Sequence, residues 1–317
     1  MRLAFAFVFA WSLCAQTPAA SSGPTLGFIP GAAPWLVQPI LGIPGAARLG
    51  APIALPNTVS QLYLAPGQSY AVALQGADDP ASFVPLRVNG ILQIAPSLVP
   101  LTGALAHPDL VVFSPTGRSL VLYSQRMSQA RVFTGLPNSP RLAAQLSNIV
   151  NAVKLAVSDD AQLLLLSDTM GNVDSLSQAG ASAPVYHSSQ VAALAFLPRS
   201  HDAIVCDPAA ATAVLLQAGT SLQVLPPPAA ECQPQAVTAT ADGNTILLAC
   251  PTQHMIWSVN RASGVPQVYR TAISPTAFDS LAARDTFLLS PADSTGTWWM
   301  ISWQDGAPVI SFVGARP

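Results

Sequence analysis

The side chains best able to do chemistry in this sequence are carboxylates and imidazoles, and they are sparse: fourteen Asp, one Glu and four His in 317 residues. Asp168, Asp207, Asp293, Glu231, His107 and His187, together with Arg126, are the ligand-binding candidates, accompanied by Asp78, Asp79 and Asp109. Carboxylate oxygens that converge on one point hold calcium or magnesium, and a larger share of imidazole suits zinc. No pair here has the close spacing of a ligand motif, so a divalent metal would need residues distant in sequence to meet. No cofactor is the primary expectation, with a divalent metal as the alternative. A simpler role for Asp168 and Asp207 is to end a strand and accept hydrogen bonds from nearby backbone amides. His201 and His254, in a turn and at a strand start, read as exposed structural residues.

Nucleophilic and phosphate chemistry lack sequence support. There is no Gly-x-Ser-x-Gly elbow, no His-Glu-x-x-His helix and no glycine-rich phosphate loop. The Ser-x-Asp-x-Gly-x-x-Trp box of sialidases is also missing, so no catalytic residue is assigned. An enzyme assembled from scattered loop residues stays open, because a loop-bearing scaffold can build a site without a local motif.

These residues are positioned by a phrase that returns about every forty residues: an apolar run, a turn, a second apolar run. It reads Val111-Val-Phe-Ser-Pro-Thr-Gly-Arg-Ser-Leu-Val-Leu-Tyr-Ser124, then Val157-Ser-Asp-Asp-Ala-Gln-Leu-Leu-Leu-Leu-Ser-Asp168, then Thr238-Ala-Thr-Ala-Asp-Gly-Asn-Thr-Ile-Leu-Leu-Ala-Cys250. A period of this size marks a repeat architecture. With one Lys and one Glu against twelve Arg and fourteen Asp, the chain lacks the residues that cover the wet face of a helix, which predicts an all-β fold. Units of four short strands fall at 59–97, 109–147, 152–189, 190–228, 235–271 and 276–313, preceded by one further strand pair, Leu26–Ile29 and Trp35–Leu41. Four-stranded blades of this length arranged radially make a β-propeller, with seven blade positions favoured and six the alternative. A single propeller domain over 25–317 is expected.

Strand order then assigns the loops. Those joining second to third strands, and those joining one unit to the next, share a face, and that face carries the candidates above. The tryptophans Trp298, Trp299 and Trp303 fall in the third strand of the last unit. There, packing between blades is the commoner use of such rings than stacking a sugar. Cys232 precedes the first strand of a unit and Cys250 ends its second, so antiparallel pairing brings them together as a disulfide. Cys206 is left as a buried thiol, with a bridge to Cys232 as the competing arrangement.

The phrase Phe113-Ser-Pro-Thr-Gly-Arg-Ser-Leu-Val-Leu-Tyr123 resembles the repeat of bacterial YVTN-type and lactonase-like seven-bladed propellers, in which a Ser-Pro-Asp-Gly turn leads into a strand ending near Tyr-Val. Asp242-Gly243 followed by Asn-Thr-Ile-Leu-Leu fits the same pattern, and the likeness runs over most of 59–313. Thr116 stands where the family places Asp, and Arg199-Ser-His201 and Arg284-Asp285 depart further. The resemblance implies a propeller and leaves activity open, since such families hold enzymes, surface proteins and members of unassigned role. Two functions follow as expectations. One is a binding or scaffold module for a protein, peptide or glycan through the loop face; the alternative is a lactonase-like hydrolase of a small sugar lactone or ester with a divalent metal in the central channel.

Composition bounds the setting. Residues 1–15 form a charged start, an apolar core and a small residue at Ala15, the pattern of a cleaved export signal, with cleavage after Ala20 and acylation of Cys14 as alternatives. Residues 16–24 then read as a flexible N-terminus, and the product as a secreted or periplasmic monomer. Removing the leader takes the formal charge from −2 to −3, and one lysine offers no basic surface for phosphates, which argues against nucleic acid. No later apolar run is long enough to cross a bilayer.

Overall fold

The central strands are the most apolar segments of the chain, for example Leu163-Leu-Leu-Leu166 and Ile246-Leu-Leu-Ala249, and runs of this kind form strands buried on both faces. In the computed structural model, which describes residues 24–76, 79–88, 91–94, 97–218, 221–226, 232–289, 297–304 and 306–314, they sit inside seven four-stranded sheets. The sheets are the blades of a seven-bladed β-propeller, here numbered I to VII: 25–54, 61–100, 110–147, 152–187, 193–224, 236–270 and 279–313. Strands pair antiparallel throughout the blades, and first strands of neighbouring blades approach one another around the axis.

Alternation along the second strands shows how the ring is filled. In blade III, Val121 and Tyr123 face blade IV, while Leu120 and Leu122 face blade II. In blade IV, Leu164 and Leu166 face blade III and Leu165 faces blade V. The apolar core is accordingly divided into clusters, one between each pair of adjacent blades, including one that joins VII back to I. In that last junction Leu26, Ile29 and Ile40 meet Leu281, Leu288, Met300 and Val313. Ala283 N–H donates to Leu26 O at 2.9 Å, and Arg48 and Gly314 form an isolated parallel bridge.

Two blades differ from their sequence outline. The opening strand pair grows into a full blade because Leu36–Ile43 is long enough to carry both Ala46–Leu49 and Ile53–Ala54 on one edge; Gly50-Ala-Pro52 separates the two short pieces. Blade II runs past residue 97, since its outermost strand is Val99–Pro100, and a small hairpin of Arg87–Val88 with Ile91–Leu92 intervenes.

Cys232 and Cys250 form a disulfide with their Cα atoms 5.6 Å apart, while Cys206 is a buried free thiol whose pKa burial pushes up, helped by the charge of Asp207. Trp298 packs into the junction with blade I, and Trp299 and Trp303 pack against blade VI, where Trp303 meets Tyr269 edge-on at 5.8 Å. No helix of the described residues is long and apolar enough to cross a membrane.

Candidate functional site

All seven blades open with the same hairpin, closed by a backbone N–H that donates to the carbonyl five residues on: Gly31 to Leu36, Ala65 to Tyr70, Ser114 to Ser119, Ser158 to Leu163, Leu197 to Asp202, Thr240 to Thr245 and Leu281 to Thr286. Where the first of these residues is Ser114, Ser158 or Thr240, its hydroxyl oxygen accepts the returning N–H at 3.0 Å. The Ser158 and Thr240 hydroxyls donate hydrogen bonds to Asp160 at 2.7 Å and Asp242 at 2.6 Å. Those carboxylates accept in turn from Gln162 N and Asn244 N. Hydrogen bonds from Thr240 and Asn244 hold Asp242 below the usual carboxylate range. At Asp160 burial works the other way and is outweighed by Ser158, Gln162 and His201. The recurring Asp, Ser and Thr thus serve the turn.

Consecutive turns are also tied to one another. Asp159 of blade IV accepts from Thr116 N at 2.9 Å and Thr116 Oγ1 at 2.6 Å in blade III, and from Arg199 N at 2.8 Å in blade V. Asp285 of blade VII accepts from Ala241 N of blade VI at 2.6 Å. Gln68 of blade II makes two bonds to the Phe28 backbone of blade I, at 2.6 and 2.8 Å. Arg261 of blade VI pairs with Asp202 of blade V, and His201 Nε2 of blade V lies 2.9 Å from Asp160 of blade IV. Gly117 takes φ +71°, and a Cβ there would stand 3.0 Å from Pro66 O, so a glycine lets the turns of blades II and III abut.

Inside this ring of turns lies a cavity of about 920 Å³, lined by first strands and turns of all seven blades. Its walls are mostly apolar: Val111 to Phe113, Ala156 and Val157, Leu194 to Phe196, Val237 and Ala239, with Phe28, Tyr63 and Phe278. Its charged lining residues are Asp279, Arg284 and Asp285. Arg284 Nε lies 3.3 Å from Asp285 Oδ2, so that pair offsets its own charge.

Asp279 stands apart. It occupies the position two residues before the hairpin, where the other blades place Ile29, Tyr63, Val112, Ala156, Ala195 and Thr238. Its side chain is exposed to the hollow channel, and the protein packed around that channel strips part of its hydration, which pushes its carboxyl above the usual range. No hydrogen-bond or ion-pair partner holds the carboxylate among the described residues. Nothing in its own strand marks Asp279; beside the equivalent positions of the other six hairpins it is the acidic residue among apolar and small ones.

The residues singled out from sequence lie elsewhere. Asp168 accepts from Met170 N, Asn172 N and Asn172 Nδ2 at 2.8 to 2.9 Å, and the Asn172 amide leads the groups that hold its pKa low. His187 Nδ1 sits 3.1 Å from Asn172 Oδ1, so Asp168 and His187 are joined through that amide. Asp207 is buried, accepting from Ala210 N at 3.0 Å and from the Tyr186 hydroxyl at 2.8 Å; burial and Asp207 push that phenol up to about 12. Asp109 accepts from Gln125 N, and Arg126 and His107 are exposed, the latter with φ +45°. None of these lines the axial cavity. Asp78, Glu231 and Asp293, like the export signal expected over residues 1–15, lie outside the described residues. No group of three or more His, Cys, Asp or Glu among the described residues is placed to hold a metal ion. A polar groove of about 710 Å³ on the turn end is lined by Arg118, Asp159, Asp160, Arg199 and His201, but its carboxylates are already engaged in the turn network.

No family model matches the chain, and no curated protein matches it in sequence. Solved structures match it in fold. A putative 6-phosphogluconolactonase from Bacteroides uniformis is 15% identical over 92% of this chain and 96% of that chain, with a TM-score of 0.59. A functionally unknown protein from Desulfotomaculum acetoxidans is 12% identical over 92% and 99%, at 0.58, and streptogramin B lyase 11% identical over 83% and 86%, at 0.55. Likeness at these identities is likeness of fold, and it bears out the resemblance to lactonase-like propellers at that level.

Proposed function

We propose that this chain is a binding module whose ligand seat is the axial cavity at the turn end, taking a small molecule or a side chain of an inserted peptide. The observation that carries the reading is the cavity itself: about 920 Å³, apolar on most sides and enclosed by turns that hydrogen bonds fix across blades. Ligand pockets are commonly of this size and character, with few polar groups setting orientation. A glycan fits the walls poorly, because its hydroxyls would be buried against Val, Leu, Ala and Phe without partners. The Cys232–Cys250 bond and the apolar leader support an exported protein working in an oxidising compartment.

Ala195 lies on the cavity wall, so Ala195→Trp fills the seat without removing a hydrogen bond. An environment-sensitive apolar dye should bind the native protein and lose most of its signal with Ala195→Trp at unchanged circular dichroism. Equal binding by both would move the seat elsewhere. A panel of lactones and esters run alongside separates the hydrolase alternative: turnover abolished by Ala195→Trp would replace binding by catalysis.

A further inference from the structure

A carboxylate exposed only to a channel with largely apolar walls keeps part of its hydration, and without a hydrogen bond or counter-ion it is free to pair with a charge brought in by a ligand. Asp279 is in that position within the cavity. The cavity's lone cation, Arg284, is engaged by Asp285, and Asp285 also accepts from Ala241 N, so the turn residues are committed to each other. What remains is one negative charge without an opposite. The same cavity is lined by Tyr63, Phe113, Phe196 and Phe278, whose ring faces attract cations and pack against apolar groups. Phe278 directly precedes Asp279 and meets Phe287 edge-on at 6.1 Å, which fixes its ring.

We infer that the cavity takes an organic cation, an ammonium or guanidinium group carried on an apolar or aromatic body, with Asp279 as its counter-ion. This rests on the cavity being the ligand seat. The cation supplies the missing charge, and its apolar body fills the space between the aromatic walls. Both a free amine and a Lys or Arg side chain of a peptide carry this chemistry. Binding drives Asp279 into its ionised form, so a proton leaves the protein when the ligand enters at mildly acid pH.

The test is calorimetry on the whole protein with phenethylamine, its neutral counterpart 2-phenylethanol, its anionic counterpart phenylacetate, and the peptide acetyl-Phe-Lys-amide. The expected result is an order of 2-phenylethanol below phenethylamine by about tenfold, with phenylacetate weakest. Asp279→Asn, which keeps the shape, should abolish the preference, and Asp279→Glu should restore part of it. Tighter binding of the peptide than of phenethylamine would assign the cation to a side chain, and the reverse to a free amine. Equal binding of amine and alcohol, or a preference that survives in Asp279→Asn, overturns the cation while leaving an apolar seat. Binding of none of the probes overturns both readings.

Discussion

Asp159 and Asp168 belong to the same blade and the same hairpin of strands, yet they do opposite things. Asp159, at the turn end, spends its oxygens on blades III and V. Asp168, at the loop end, spends its oxygens on Met170 and Asn172 in its own loop. The contrast extends over the molecule: turns are linked to neighbouring turns by Asp285, Gln68 and Arg261, whereas the loop end is tied chiefly within blades, by Asx-type turns and, in blade VI, by the Cys232–Cys250 disulfide. A bond that crosses blades fixes the width of the axial opening; a bond within a loop fixes that loop alone. The preorganised end is therefore the one with the cavity.

The covalent tie of the loop end offers the largest effect. Cys232→Ser with Cys250→Ser opens a loop of 18 residues and should cost about 3 kcal/mol in chemical denaturation, without altering dye binding in the cavity. A loss of dye binding would show that the two ends are coupled. Next comes Asp159→Ala, which strands amide donors in both neighbouring blades and should cost about 2 kcal/mol, with weakened binding in the cavity. Asp168→Ala should cost less than about 1 kcal/mol and leave binding intact. Equal costs for these two would erase the distinction between the ends.

The smallest effect is a dependence on pH. Asp279 has a raised carboxyl pKa in the folded protein. In strong acid both folded and unfolded forms carry the proton, so native protein and Asp279→Asn should melt together. As pH rises past about 4 the unfolded form ionises first, and native protein loses stability relative to Asp279→Asn until the folded pKa is passed. At neutral pH the Asn variant should melt higher, as differential scanning calorimetry would record. An identical melting temperature at both pH values would mean that the channel hydrates the carboxylate fully, and would remove its distinction from Asp168.

Much of the fold is legible in the sequence because each hairpin is a local event. Ser158 with Asp160, and Thr240 with Asp242, each act within a single turn, so their types and spacing announce that turn directly. Blade I is less legible, since Leu36–Ile43 collects two short partners that Gly50 and Pro52 separate, and no repeat phrase marks them. The Cys232 and Cys250 positions follow from strand order alone. The cavity is illegible along the chain, because its wall is assembled from short stretches of all seven blades, some forty residues apart in sequence, whose chemistry has meaning only beside their counterparts. Asp279 draws no notice between Phe278 and Ser280; it does between Thr238 and Ile29. Acidic residues such as Asp168 invite attention because they sit at loops, and loops are where amides satisfy them.

The junction between blades I and VII carries a kinetic meaning. Each of the other interfaces joins neighbours in sequence, so it can form as soon as both blades exist, whereas Leu26 and Leu281 come from opposite ends of the described chain. Closing so long a loop costs entropy before any contact returns it, which puts this interface last in the order of assembly. Asp279 lies on the blade that completes it. The wall that would meet a ligand's charge is thus finished only when the ring shuts, and a molecule held there acts as a clasp, favouring the closed ring over an open crescent of otherwise formed blades.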